Sequence, residues 1–170
     1  MTPQEFVTQV LNPGLAWCAQ LPGWNVHFDD RARVLLTAIS GQEANWTDRI
    51  QSGNGPAHGL WQMERRGGVA GVLGGAATWV MAVNACKHAG IDPTPVAAWG
   101  ALATAAHDNL AVGFARLLLW SDPAPLPSVG DEEAAYGYYI RNWRPGAPSR
   151  ERWSQVYPQA LAAIKEKATP

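Results

Sequence analysis

Two carboxylates, Glu43 and Glu64, bracket the stretch "EANWTDRIQSGNGPAHGLWQME". Glu43 follows Leu36 by seven residues and Ile39 by four, which puts it at the border of an apolar helical face. It also falls near the C-terminal end of that helix, where unpaired carbonyls make the local field negative. Burial and that field both disfavour an ionised carboxylate, so the Glu43 pKa is expected above the ordinary range. An acid that keeps its proton near neutral pH suits protonation of a glycosidic oxygen. Glu64 comes 21 residues later, past a loop short enough to fold back over the helix end. One acid with one base or nucleophile is the arrangement that glycoside hydrolysis uses. On spacing alone, two solvated surface glutamates are the simpler reading.

The elements that position these residues are mostly helical. A first amphipathic segment spans about residues 3–21 and is interrupted at "NPG". Asp29 or Asp30 N-caps a helix over about 30–46, whose Val34, Leu35, Ala38 and Ile39 follow helical spacing. Residues 47–56 read as a loop or short hairpin turning at "SGNGP". The uncharged run 67–86 predicts a buried central helix from about residue 69 or 76 to residue 88. It has the length of a membrane span, about 20 residues, but five of its residues are Gly. Pro95 suits the first turn of a helix to about 106, and further helices follow over 108–120, 132–142 and 150–167. Asp131 and Ser149 cap the last two, and Pro-rich loops separate them. The expected class is α+β, mainly α, in a single domain of 170 residues.

Composition narrows the partners. The net charge of −1 gives no overall attraction to nucleic acid or to an anionic membrane. Nine Trp exceed what packing such a chain requires, and flat aromatic faces suit a sugar-binding groove. Trp46 and Trp61 flank the proposed acid and are expected in equal measure as groove walls or as core. The segment "YYIRNWRPGAPSRERW" interleaves Arg141, Arg144, Arg150 and Arg152 with Trp143 and Trp153. Packing and helix capping are its first reading; a groove wall attracting carboxylates, or a stacking surface for single-stranded nucleic acid, are the others. Cys18 and Cys86 have no metal or redox spacing and read as buried thiols rather than a bridge. The four histidines show no ligand pairing, so no metal or other cofactor is expected. The N-terminus carries no basic region followed by an apolar core, so no secretory signal is expected.

Several short motifs carry a resemblance. The proposed helix ends in "QEANW", after which Ser52, Gly55, Ala57, Gly59, Leu60 and Gln62 follow in order; later come "NLAVGFARLLLW" at 109–120 and "AAYGYY" at 134–139. This series resembles the lysozyme-like superfamily, particularly soluble lytic transglycosylases and goose-type lysozymes, over about residues 34–139. Those families place a catalytic Glu at a helix end, followed by "S-x-x-G-A-x-G-L-M-Q". The resemblance implies a helical body and a small β or loop element bordering a cleft. It makes Glu43 the general acid. Gln62, Ser52 and the backbone around Gly59 would shape the sugar site, with Tyr139 beside it and Tyr136 near the acid.

Three departures stand out: Trp61 replaces the motif's Met, Ala44 stands where the family has Ser, and Gly137 replaces an Asn. Glu64 falls where goose-type lysozymes have an acid two residues after the Gln, whereas transglycosylases generally lack a second catalytic carboxylate. The resemblance therefore implies a muramidase acting on bacterial peptidoglycan, with a lytic transglycosylase as the alternative. A non-catalytic sugar-binding or virion module, and a chitin- or chitosan-cleaving glycanase, are further alternatives. It also implies a monomer, held in the cytoplasm until release or carried in a bacteriophage virion, acting on the cell wall; charge and composition give no expectation of nucleic acid or a membrane span.

Overall fold

The computed structural model describes residues 1–53 and 55–165. Thr2 opens helix α1 (Pro3–Phe6) through a reciprocal cap, its hydroxyl accepting from the Glu5 N–H while the Glu5 carboxylate accepts from the Thr2 N–H. The expected interruption at "NPG" does not occur. The helix widens into a π-turn, Val7–Leu11, and runs on as α2 (Asn12–Cys18). Pro13 has no N–H to donate, and its ring crowds the carbonyl four residues back. The Asn12 N–H bonds the Val7 carbonyl, five residues back, and this wider spacing makes room for the ring.

Asp29 caps α3 (Asp30–Ala44), its side chain accepting from the Ala32 N–H at 3.0 Å. The helix stops short of Trp46 because Asn45 and Trp46 both take left-handed backbone, with φ of 49° and 57°. The eight residues 34–41 are all buried, so α3 is enclosed on every face rather than along one stripe. Beyond it lie β1 (Ala57–His58) and β2 (Met63–Glu64), paired antiparallel with Ala57 opposite Glu64. Ile50 bridges antiparallel to His58, so the chain reverses between them, while Asn54 of the expected turn lies outside the described residues. Arg49 ties this insertion to the helical body by two hydrogen bonds to Asp108, at 2.8 and 2.6 Å. Trp61, between the strands, is fully buried and donates from its indole to the Leu36 carbonyl of α3 at 2.9 Å.

The uncharged run is not one helix from its beginning, and of the two expected starts the later, near residue 76, lies closer to the helix that reaches His88. A π-turn (Arg65–Val69) leads into α4 (Ala70–Gly74), and α5 (Trp79–His88) follows after a break bent by 105°. Gly74 and Gly75 adjoin the break, where the Thr78 hydroxyl donates back to the Val72 carbonyl at 2.7 Å. Among the described residues, no single helix is long and apolar enough to cross a membrane. Thr94 caps α6 (Pro95–Leu102), which ends earlier than expected and gives way to a 3₁₀ turn, Ala105–His107. Helix α7 (Asp108–Trp120) has its expected bounds. Asp131 caps α8 (Glu132–Trp143), and the Ser149 hydroxyl accepts from the Arg152 N–H at the start of α9 (Arg150–Lys165). The expected end of α9 at residue 167 lies outside the described residues.

The class is α+β, mainly α, with one two-stranded sheet. Helix α9 makes the most extensive helix packing on α3, and α7 packs on α2, within one contiguous set of buried side chains. Cys18 and Cys86 are free thiols in that core, and burial pushes them up to about 12 and about 11. Gly14 lets α2 approach α7 closely, since a Cβ there would lie 2.5–3.0 Å from the Val112 side chain. Gly14→Ala should lower stability by about 1–3 kcal/mol. Urea denaturation measures that loss, and adding Val112→Ala should recover part of it through their shared contact.

Candidate active site

Helix α3 delivers Glu43 to the wall of a cleft of about 710 Å³, a volume ordinary for a site that takes a small ligand. The hairpin contributes Gln62 and Glu64, the π-turn contributes Arg66, and α8 contributes Tyr139 and Trp143. The loop after α8 closes the remaining side, and glycines 67, 68 and 71 line part of the cleft without side chains.

Glu43 is half-buried, and the Tyr139 hydroxyl donates a hydrogen bond to its Oε1. Burial pushes the Glu43 pKa up, while the Tyr139 bond and the Arg152 charge pull against it; burial prevails. The helix-end field expected to add to the rise is countered. The Arg152 guanidinium donates to the Gly41 carbonyl in the last turn of α3 at 3.2 and 2.6 Å. Burial and the neighbouring Glu43 carboxylate drive the Tyr139 phenol far above its ordinary value, which keeps it a proton donor. The Tyr139 ring lies flat on Trp153 at 5.2 Å and 11°, so its hydroxyl is aimed by packing as well as by the bond. Glu64, on β2, is exposed to water.

Four of the sequence-derived candidates therefore share the cleft: Glu43, Glu64, Gln62 and Tyr139. Gln62 is held by amide bonds to the carbonyls of Asp48 and Gly59, at 3.1 and 2.9 Å. The others are placed differently. Trp46 and Trp61 are core, with their indoles donating to the Thr37 and Leu36 carbonyls of α3, so neither is a groove wall. Gly59 is buried against Leu102 at φ 78° and shapes the turn, lying outside the cleft lining. Ser52 is exposed in its turn, also outside the lining. Tyr136 does not reach the acid either; its ring packs on Trp153 and under the Arg150 guanidinium at 4.9 Å.

The arginine-rich segment divides in two. Arg150 pairs with Glu132 and Glu133, Arg152 caps α3, and Trp153 is core. Arg141, Trp143 and Arg144 line the cleft. Trp143 is thus the indole at the groove, half-buried, with its Nε1 donating to the Trp61 carbonyl at 2.9 Å. Arg66 and Gln42 had no sequence signal beyond neighbouring the motif residues. Non-glycine left-handed residues concentrate here too. Asn45 and Trp46 directly follow the acid's helix, and Gln62 and Arg144 line the cleft at φ 46° and 48°. Such conformations persist only where surrounding contacts enforce them. Among the described residues, no three His, Cys, Asp or Glu side chains converge as a metal-binding group. No family model, curated protein or solved structure matches the chain.

Removing either restraint on Glu43 should raise its pKa further. Tyr139→Phe and Arg152→Gln are each expected to shift the Glu43 carboxyl titration upward, read by carbon-13 NMR; a downward shift in both would contradict this electrostatic account. Stability has a matching sign. The folded pKa of Glu43 exceeds its ordinary value of 4.5, so the folded state binds the extra proton between the two values. The contribution of Glu43 to stability is therefore largest below 4.5 and declines as pH rises through the folded pKa. Glu43→Gln abolishes that decline. Denaturation at a series of pH values should show the variant gaining on the wild type as pH increases.

Proposed function

We propose that the protein is a peptidoglycan-degrading muramidase with a lysozyme-like fold, cleaving the β-1,4 bond between N-acetylmuramic acid and N-acetylglucosamine. The observation that carries this reading is a half-buried, tyrosine-bonded carboxyl sharing one cleft with a second, solvated carboxylate. The motif resemblance running from the "QEANW" helix end to "AAYGYY" adds the substrate class.

In this reading, Glu43 gives its proton to the leaving glycosidic oxygen as the bond to the anomeric carbon breaks. Tyr139 holds the carboxyl and, through its hydrogen bond, stabilises the carboxylate left behind. Glu64 takes a proton from a water that attacks the anomeric carbon. A water held between the carboxylates leads to inversion, which requires them to stand about 6.5–9.5 Å apart. Gln62 and the Trp143 face border the sugar path. The implied setting is a bacteriophage lysis or virion protein acting on the wall as a monomer, without a cofactor.

Mass spectrometry of muropeptides released from purified peptidoglycan tests this. Reducing muramic ends are expected from the wild type. Glu43→Gln should lower their release by about 10²–10⁴-fold, the span of general acid catalysis. Glu64→Gln should also abolish hydrolysis while leaving the fold intact. Ends lighter by one water, unaffected by Glu64→Gln, would identify a transglycosylase. No release by folded wild type from walls of several bacterial types would favour a non-catalytic module, and release from chitin oligomers alone a different glycanase.

A further inference from the structure

We propose that Arg66 and Arg144 form a carboxylate-recognition subsite in the cleft, selecting glycans with acidic peptide stems over neutral β-1,4 glycans. This rests on the muramidase reading and names the chemistry by which the same site would choose its substrate.

Most arginines of this chain are committed. Of ten, Arg31, Arg33, Arg49, Arg141 and Arg150 pair with acids, while Arg116 and Arg152 bond the carbonyls of His27 and Gly41. Among the described residues, the side chains of the remaining three, Arg65, Arg66 and Arg144, make no hydrogen bond, ion pair or ring contact, and of these Arg65 does not line the cleft whereas Arg66 and Arg144 do. They come from different walls, the π-turn after β2 and the loop after α8. The third cleft arginine, Arg141, is already occupied by Asp122 at 2.8 Å and lies over the Tyr138 ring. The acids of the cleft do not use the two free cations, since neither Glu43 nor Glu64 lies within ion-pair distance of them.

Arg144 adds an independent observation. It ends α8 in left-handed backbone, a position that glycine fills without strain. The turn itself does not call for an arginine there. A guanidinium offers a planar fork of donors that matches a carboxylate. Chitin-like chains present only hydroxyls and acetamides, whereas peptide-substituted muramic residues present stem carboxylates beside the sugar. Two unoccupied guanidiniums on separate walls would hold such a stem while the glycan lies past Glu43.

Equilibrium titration of the full chain tests the assignment without cleavage. The probes are the disaccharide N-acetylglucosaminyl-N-acetylmuramic acid bearing its peptide stem, the same compound with its carboxyls amidated, and chitobiose. The wild type should prefer the acidic compound by about tenfold or more at low salt, with the preference shrinking as salt rises. Arg66→Gln combined with Arg144→Asn should abolish the preference while leaving chitobiose binding and the melting temperature unchanged; Asn tolerates the left-handed backbone. A glycerol-phosphate oligomer that competes as well as the stem compound would overturn carboxylate recognition in favour of a general anion site. A chain that cleaves walls but binds all three probes alike overturns the subsite and leaves the muramidase reading standing. Carboxylate-selective binding without cleavage of any wall does the reverse.

Discussion

Helix α3 gives up its water on every face, so its last carbonyls and the Glu43 carboxyl must find partners inside the protein. Most of the architecture around the cleft answers that need. The Arg152 guanidinium bonds the Gly41 carbonyl, the Trp46 indole returns to the Thr37 carbonyl, and Tyr139 bonds the acid itself. Each partner comes from a segment that must fold back onto α3, so enclosing this one helix brings the helix end, α8 and α9 together. The left-handed pair Asn45–Trp46 is the geometric counterpart, because only a sharp reversal returns the indole to the helix it has just left.

The hairpin is anchored by the same helix. A two-stranded ladder of two residues a side has little stability of its own. Trp61 supplies the missing attachment by burying its ring and bonding the Leu36 carbonyl, and the Trp61 carbonyl in turn accepts from Trp143. One side chain thus fixes the strand that carries Glu64 and the indole that borders the cleft. The Arg49–Asp108 pair secures the other end of the insertion to the start of α7.

Local chemistry was legible in the sequence wherever a single residue settles the outcome. Asp131 and Ser149 cap helices as read, Asp29 is the cap of the two offered, and α7 runs from Asp108 to Trp120, because side-chain caps and apolar periodicity are short-range signals. The π-turn before Pro13 was not legible, since a proline can be met by breaking a helix or by widening it, and packing against α7 decides. The break between α4 and α5 depends likewise on Thr78 reaching the Val72 carbonyl. Of the candidates named by spacing and motif order, Glu43, Glu64, Gln62 and Tyr139 line one cleft. The tryptophans were not separable by type: Trp46 and Trp61 went to the core and Trp143 to the cleft, an assignment set by residues distant in sequence. Tyr136 and Tyr139 stand three apart on one helix and both pack on Trp153, so only the docking of α8 beside the end of α3 shows which of them meets the acid.

The two carboxyls are supported in unequal ways. Glu43 rides on a helix whose displacement would disturb the entire interior, whereas Glu64 and the arginines nearby sit on a brief ladder, a π-turn and a loop. Changes on that second side therefore meet little resistance from the rest of the molecule. Such a division lets rim positions change with little disturbance to the interior, while the Glu43 carboxyl stays where the core holds it. Variation among future relatives should accordingly be lopsided, abundant along the hairpin and the loop after α8 and sparse along the helix that ends at Ala44.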